Sequence, residues 1–261
     1  MFDMTTFENI GNFQCHVGGI RSMILLPNSK LVTGSYDKTI KIWPDPLKFE
    51  NMGGNMQLSQ VSTASKKAST LNPLKTLTGH TSCIISLKYL NDGANFASGS
   101  ADYSIKVWDY EKGENIKNFT GHMSDILCLD CTSTGNTLIS GSADRTIKVW
   151  SLTKKYSSAC LKTMTGHLDF IWTIVLLQDN VTLLSAGLDK SIKVWDITTG
   201  NLIRQLPNEH TSHITKLIQY AREVVISCSN DGTIKFWDFK GNACAHTIQL
   251  ESGLSTMMVT A

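Results

Sequence analysis

The sequence predicts an all-β chain built of repeated four-stranded sheets set around a common axis. Three observations carry that expectation. One template recurs five times along the 261 residues, and the tryptophans of its last four copies, Trp108, Trp150, Trp195 and Trp237, lie 42, 45 and 42 residues apart. Within each copy polar and apolar residues alternate with period two, as in Ser104-Ile105-Lys106-Val107-Trp108. Turn-forming clusters such as Asn91-Asp92-Gly93, Ser133-Thr134-Gly135-Asn136 and Thr198-Thr199-Gly200-Asn201 separate the alternating stretches. One such sheet cannot cover both its own faces, so the copies must stack.

The first copy runs Gly34-Ser35-Tyr36-Asp37-Lys38-Thr39-Ile40-Lys41-Ile42-Trp43. The second spans Gly99 to Trp108 and the third Gly141 to Trp150. The fourth spans Gly187 to Trp195, with one residue fewer before its aspartate, and the fifth Cys228 to Trp237. In every copy the tryptophan follows an aspartate by 6 residues, and a histidine precedes that aspartate by 21 or 22. The gap of 65 residues between Trp43 and Trp108 holds an insertion over 44–78. Its Gly53-Gly54 and its serines between Ser59 and Ser69 have the composition of a flexible loop between repeats. Lys66-Lys67-Ala68-Ser69 within it resembles a basophilic kinase site, where a phosphate would add negative charge beside two lysines.

Residues 8–13 echo 114–119 and are expected to form an outer strand, while 254–260 read like the first strand of a further repeat. The expectation is therefore one domain over 1–261, an incomplete ring whose natural chain continues past Ala261.

Composition narrows the function classes. A hydrophobic fraction of 41% and a charged fraction of 18% are those of an ordinary globular protein. The net charge of +2 offers no field for nucleic acid. The start lacks the basic end and apolar core of a signal peptide, and no apolar run approaches the roughly 20 residues of a membrane span. Seven cysteines, an odd number without a framework, read as reduced thiols in the cytoplasm or the nucleus. Cys128-Leu129-Asp130-Cys131 has no second pair at zinc spacing, and on a strand its two thiols would point to opposite faces. No phosphate-binding glycine loop is present, so no cofactor is expected.

The Gly-His pairs at 79–80, 121–122 and 166–167, the Ser-Gly-Ser-Ala-Asp at 98–102 and the Ile-Lys-Val-Trp-Asp at 105–109 resemble the WD-repeat family over nearly all of residues 8–250. The resemblance implies a WD-repeat β-propeller of five complete four-stranded repeats with flanking strands, seven blades being expected of a full ring. It also implies a hydrogen-bonded tetrad in each repeat: His16, Thr33, Asp37 and Trp43; His80, Ser98, Asp102 and Trp108; His122, Ser140, Asp144 and Trp150; His167, Ser185, Asp189 and Trp195; His210, Ser227, Asp231 and Trp237. The chemistry of such a set closes without a substrate. The indole N–H donates to the hydroxyl, the hydroxyl to one imidazole nitrogen, and the other imidazole N–H to the carboxylate. A structural role is therefore expected of these residues and a catalytic one is not.

In the family, partners commonly meet the face at positions three and five after the histidine and one before the aspartate. On this chain those are Gly19, Arg21 and Tyr36; Cys83, Ile85 and Ala101; Asp125, Leu127 and Ala143; Phe170, Trp172 and Leu188; His213, Thr215 and Asn230. Arg21, Tyr36, Ile85, Leu127, Phe170, Trp172 and Leu188 are the candidates for contact, because aromatic residues and arginine dominate binding energy at interfaces. The competing reading turns Ile85, Leu127 and Trp172 into the central core as ordinary innermost-strand residues. The implied function is a non-catalytic scaffold or adaptor for protein or peptide partners, without nucleic acid or membrane. The alternative is the targeting propeller of a larger enzyme, such as a ubiquitin-ligase component.

Overall fold

The computed structural model describes residues 15–45, 72–153, 160–238, 241 and 243–250. The flanking strands expected at 8–13 and 254–260, the kinase-like site at 66–69 and all of 46–71 within the insertion lie outside the described residues.

Among the described residues twenty strands form five sheets of four, each an antiparallel meander in chain order. The first sheet holds β1 (Ile20–Leu25), β2 (Leu31–Ser35), β3 (Ile40–Trp43) and β4 (Lys75–Leu77). The second holds β5 (Ile84–Tyr89), β6 (Asn95–Ser100), β7 (Ile105–Asp109) and β8 (Glu114–Phe119). The third holds β9 (Ile126–Cys131), β10 (Thr137–Ser142), β11 (Thr146–Ser151) and β12 (Cys160–Thr165). The fourth holds β13 (Ile171–Leu176), β14 (Thr182–Gly187), β15 (Ile192–Asp196) and β16 (Leu202–Gln205). The fifth holds β17 (Ile214–Ala221), β18 (Val224–Ser229), β19 (Thr233–Asp238) and β20 (Ala243–Gln249). No helix occurs among the described residues.

Period-two alternation explains why these segments are strands and which faces they bury. In β7 the pattern Ile105, Val107 inward and Lys106 outward gives a buried residue at every second position, and Trp108 then closes the strand inside the core. The sheets stack through their first strands, β1 on β5, β5 on β9, β9 on β13 and β13 on β17. Close approach is made possible in the first three sheets by a glycine on the second strand, Gly34, Gly99 and Gly141. A Cβ on Gly34 would meet Ile84 Cγ2 at 2.5 Å, and one on Gly99 would meet Ile126 Cγ2 at 2.6 Å. The Ile and Leu pair of one first strand thus seats on the glycine of the preceding sheet. Ile84 and Leu87 are 0% and 6% exposed in this way, whereas their counterparts on β1, Ile20 and Met23, are 40% and 57% exposed.

Polar contacts also join neighbouring sheets. Ser22 Oγ accepts from Leu87 N (3.1 Å), and Thr173 Oγ1 accepts from Leu217 N (3.2 Å). Buried Asp130 connects three sheets, accepting from Lys88 Nζ of β5 at 2.7 Å and from Leu176 N of β13 at 2.7 Å. The two thiols on its strand diverge, Cys128 Sγ lying against Ile171 O and Cys131 Sγ against Tyr89 O. Burial pushes these thiols up to about 12 and about 11, so neither is a reactive thiolate. None of the seven cysteines is in a disulfide.

One point of the repeat alignment needs correcting. The sequence suggested that the fourth copy was one residue short after Gly187. Strand register shows otherwise: Gly187 pairs with Ile171 as Ser35 does with Ile20 and Ser100 with Ile84. Ala186 fills the glycine position, the copy has full length, and Gly187 stands where the other copies have serine.

Candidate interaction face

The tetrads lie at the rim of one end of the stack, where the loop entering each first strand meets the turn between the second and third strands. In the third sheet Trp150 Nε1 donates to Ser140 Oγ at 2.9 Å, His122 Nε2 lies 2.7 Å from that hydroxyl, and His122 Nδ1 lies 2.7 Å from Asp144 Oδ2. The same chain of contacts links Trp43, Thr33, His16 and Asp37. It recurs through Trp108, Ser98, His80 and Asp102, through Trp195, Ser185, His167 and Asp189, and through Trp237, Ser227, His210 and Asp231. All five histidines are buried. The five hydroxyls are no more than 2% exposed, so a substrate does not reach them.

The carboxylate does more than orient the imidazole. Asp144 Oδ2 also accepts Met123 N at 2.9 Å, and Oδ1 accepts the Thr146 amide and hydroxyl at 2.9 and 2.6 Å. It thereby fixes the turn, whose next residue takes positive φ in every sheet: Lys38, Tyr103, Arg145, Lys190 and Gly232. This is the three-residue hairpin loop that ends in a left-handed residue. Burial alone would raise the pKa of these aspartates. The opposing hydrogen bonds are stronger, so Asp37 falls to about 2 and Asp102, Asp144, Asp189 and Asp231 are held well below the ordinary carboxylate range. Burial also depresses His210 below its ordinary 6.5, against the pull of Asp231.

Both shifts have the same consequence for pH. The native state binds fewer protons than the unfolded chain, so stability is present at higher pH and falls on acidification. The unfolding midpoint is expected to hold near neutrality. It should begin to fall below pH 6.5 as the unfolded His210 protonates, and steeply below about pH 3.8 toward 2 as the aspartates do. Thermal unfolding followed by circular dichroism between pH 8 and 2 checks this, and a midpoint that rises on acidification would contradict it.

Inside the ring of tetrads the five first strands each carry a bulge. Register skips one residue between Ile20 and Ser22, Ile84 and Ser86, Ile126 and Cys128, Ile171 and Thr173, and Ile214 and Lys216. The extra residues are Arg21, Ile85, Leu127, Trp172 and Thr215, and a bulge re-aims the residue it releases from the ladder. Four of them turn into one cavity of about 250 Å³, lined by Arg21, Tyr36, Cys83, Ile85, Ala101, Asp125, Leu127, Ala143, Phe170 and Trp172. Residues from four successive sheets therefore face one central space. The two readings of Ile85, Leu127 and Trp172 merge here: they are half-buried, facing the axis but open to its mouth. Arg21 reaches across from the first sheet, its guanidinium 5.4 Å from the centre of the Trp172 ring on the fourth.

Leu188, also a candidate, lies outside this lining and is half-buried, its amide donating to Phe170 O at 3.0 Å. Gly187 beside it explains how Phe170 comes so close. A Cβ there would stand 1.9 Å from Phe170 O and 2.9 Å from Trp172 N, so only glycine admits this loop. Gly187→Ala is expected to push the Phe170–Trp172 backbone aside at a cost of about 1–3 kcal/mol, typical of overpacking. A urea-unfolding difference under about 0.5 kcal/mol together with unchanged Trp172 emission would refute that.

Three further exposed apolar side chains stand on the same face, outside the candidates expected from sequence. Val17, Met123 and Leu168 are 92%, 82% and 81% exposed. Each follows a tetrad histidine, and its amide donates to the tetrad aspartate, which turns the side chain outward. An apolar residue at positions held by Thr81 and Thr211 in the other two copies was the available signal.

Among the described residues no group of three or more His, Cys, Asp or Glu could hold a metal ion, and no helix is long and apolar enough to cross a membrane. Comparison with known proteins gives a consistent family. The model of the WD domain, G-beta repeat, matches residues 7–44, 71–109, 113–151, 158–196 and 200–238. These repeats are offset from the sheets by one strand: β4 belongs to the second repeat but is the outer strand of the first sheet, so each repeat clasps its predecessor. The chain is similar to the ribosome biogenesis protein WDR12 homolog of Nematostella vectensis, 34% identical over 106 residues, which are 38% of this chain and 25% of that protein. It is similar to the WDR12 homolog of Culex quinquefasciatus, 34% identical over 85 residues, 31% of this chain and 19% of that protein. It is also similar to protein HIR1 of Kluyveromyces lactis, 33% identical over 88 residues, 33% of this chain and 9% of that protein. The matched part thus spans a quarter or less of each relative.

Proposed function

Because the chain belongs to the WD-repeat family, we propose that it is a non-catalytic interaction scaffold or adaptor, holding a protein or peptide partner against the cavity end of its stacked sheets. The observation that carries this reading is the central cavity with Phe170 and Trp172 at its mouth, beside exposed Met123 and Leu168. Exposed apolar side chains grouped on a rigid frame favour association. At about 250 Å³ the cavity is smaller than the roughly 300–1,000 Å³ of a typical small-molecule site. That size suits one or two inserted side chains rather than a cofactor.

The name of the two WDR12 relatives favours a role in ribosome biogenesis and the nuclear half of the expected cytoplasmic or nuclear location. Microscopy of the tagged full-length protein tests the location. The targeting propeller of a larger enzyme gains no support from these relatives.

Affinity capture with the full-length protein tests the scaffold reading. Trp172→Ala is expected to lose a partner that wild type and Leu202→Ser retain, Leu202 lying exposed on the outer strand β16. A folded Trp172→Ala protein that keeps every partner would overturn it.

A further inference from the structure

The proposed reading says that a side chain enters the cavity; the charges around it say which kind. Arg21 is exposed at its bulge, and its side chain makes no hydrogen bond or ion pair among the described residues. Its one side-chain interaction is the contact with the Trp172 ring. A cation–π contact needs no hydrogen-bond acceptor, so the guanidinium N–H donors remain available to a ligand. A guanidinium held in place by an aromatic ring has less freedom to lose when a carboxylate arrives, and it can present two parallel donors to it. The rest of the wall on that side is aromatic, Tyr36 at the first sheet and Phe170 with Trp172 at the fourth. The opposing charge, Asp125, enters the lining from the third sheet.

We propose, resting on the scaffold reading, that the cavity selects a peptide in which a carboxylate stands next to a large apolar side chain. The carboxylate pairs with Arg21, and the apolar group packs between Trp172, Phe170 and Leu127. Asp125 sets the orientation by repelling the acidic end from the third sheet.

Trp172 provides the reporter. The other five tryptophans are tetrad members no more than 2% exposed, so a ligand that changes the emission acts at the cavity. Capped peptides Gly-Gly-Xaa-Phe-Gly-Gly, with glutamate, glutamine or lysine at Xaa, are titrated into the full chain to millimolar concentration. The glutamate peptide is expected to bind about 10- to 100-fold more tightly than the lysine peptide, the range of one charged hydrogen-bonded contact. Arg21→Gln should erase the preference while leaving the unfolding midpoint unchanged, because the side chain is exposed. Asp125→Asn should tighten binding of the glutamate peptide.

Equal or reversed ranking of the peptides, or a preference that survives Arg21→Gln, overturns the inference. So does emission that no peptide moves, and so does a response confined to a uridine decamer, which would assign the cavity to single-stranded RNA. These failures are distinct from failure of the scaffold reading. A partner lost on Trp172→Ala but indifferent to Arg21→Gln leaves the scaffold standing and removes only the acidic specificity.

Discussion

Asp144→Ala is expected to destabilise the protein by about 3–5 kcal/mol, because several donors lose one charged acceptor at about 1–3 kcal/mol for each that is buried. Four donors lose their acceptor together: the imidazole of His122, the amide of Met123, and the amide and hydroxyl of Thr146. Water cannot readily replace the carboxylate, since the side chains of His122 and Asp144 are 0% and 8% exposed. The third sheet also lies between packed neighbours on both sides, so its loosening divides the stack into two pieces. Amide exchange should therefore show protection lost first over β9 to β12, with urea unfolding shifted to lower concentration. Asp37→Ala is expected to cost less, because Asp37 is 14% exposed and water can reach the orphaned donors. Equal losses at the two positions, or a loss under 1 kcal/mol at Asp144, would mean that the carboxylate is not what holds the turn.

Much of this was legible in the sequence because the tetrad is local in pattern. Histidine, hydroxyl, aspartate and tryptophan recur at fixed spacings within one repeat, so five copies exposed both the strands and their turns. The positions facing the axis came from the family resemblance, and all ten lining residues fall at the offsets it implies from a tetrad histidine or aspartate. What could not be read depends on register or on contacts between repeats. Gly187 looked like a deletion because glycine was used to align the copies, and only its pairing with Ile171 reveals that it replaces a serine. The outward turn of Val17, Met123 and Leu168 follows from an amide bonding to an aspartate some twenty residues away, which no alternation encodes. Arg21 and Trp172 meet across the ring from sheets that are not sequence neighbours. Bulges are likewise invisible in an unaligned strand, yet they decide which side chains reach the cavity.

Asp130 is the second place where one residue governs the stack, and its effect should rival that of Asp144. Asp130→Ala leaves the Lys88 ammonium without its carboxylate and the Leu176 and Cys131 amides without their acceptor. The carboxylate is largely buried, and Lys88 keeps a raised pKa because Asp130 outweighs the burial that would lower it. The loss is expected to be about 3 kcal/mol, most of it from the orphaned amides, since the Lys88 side chain is 35% exposed and water reaches its ammonium. The double variant Lys88→Met with Asp130→Asn should recover much of the loss. It removes both charges, retains the aliphatic stem of Lys88 in shape, and keeps one amide oxygen to accept from a backbone N–H. Recovery would show that the ion pair serves to set the second sheet against the third rather than to add net stability. The measurement is the coupling free energy from urea unfolding of the two single variants and the double. A coupling near zero would mean that Lys88 and Asp130 act independently, and that this pair does not hold the second sheet to the third.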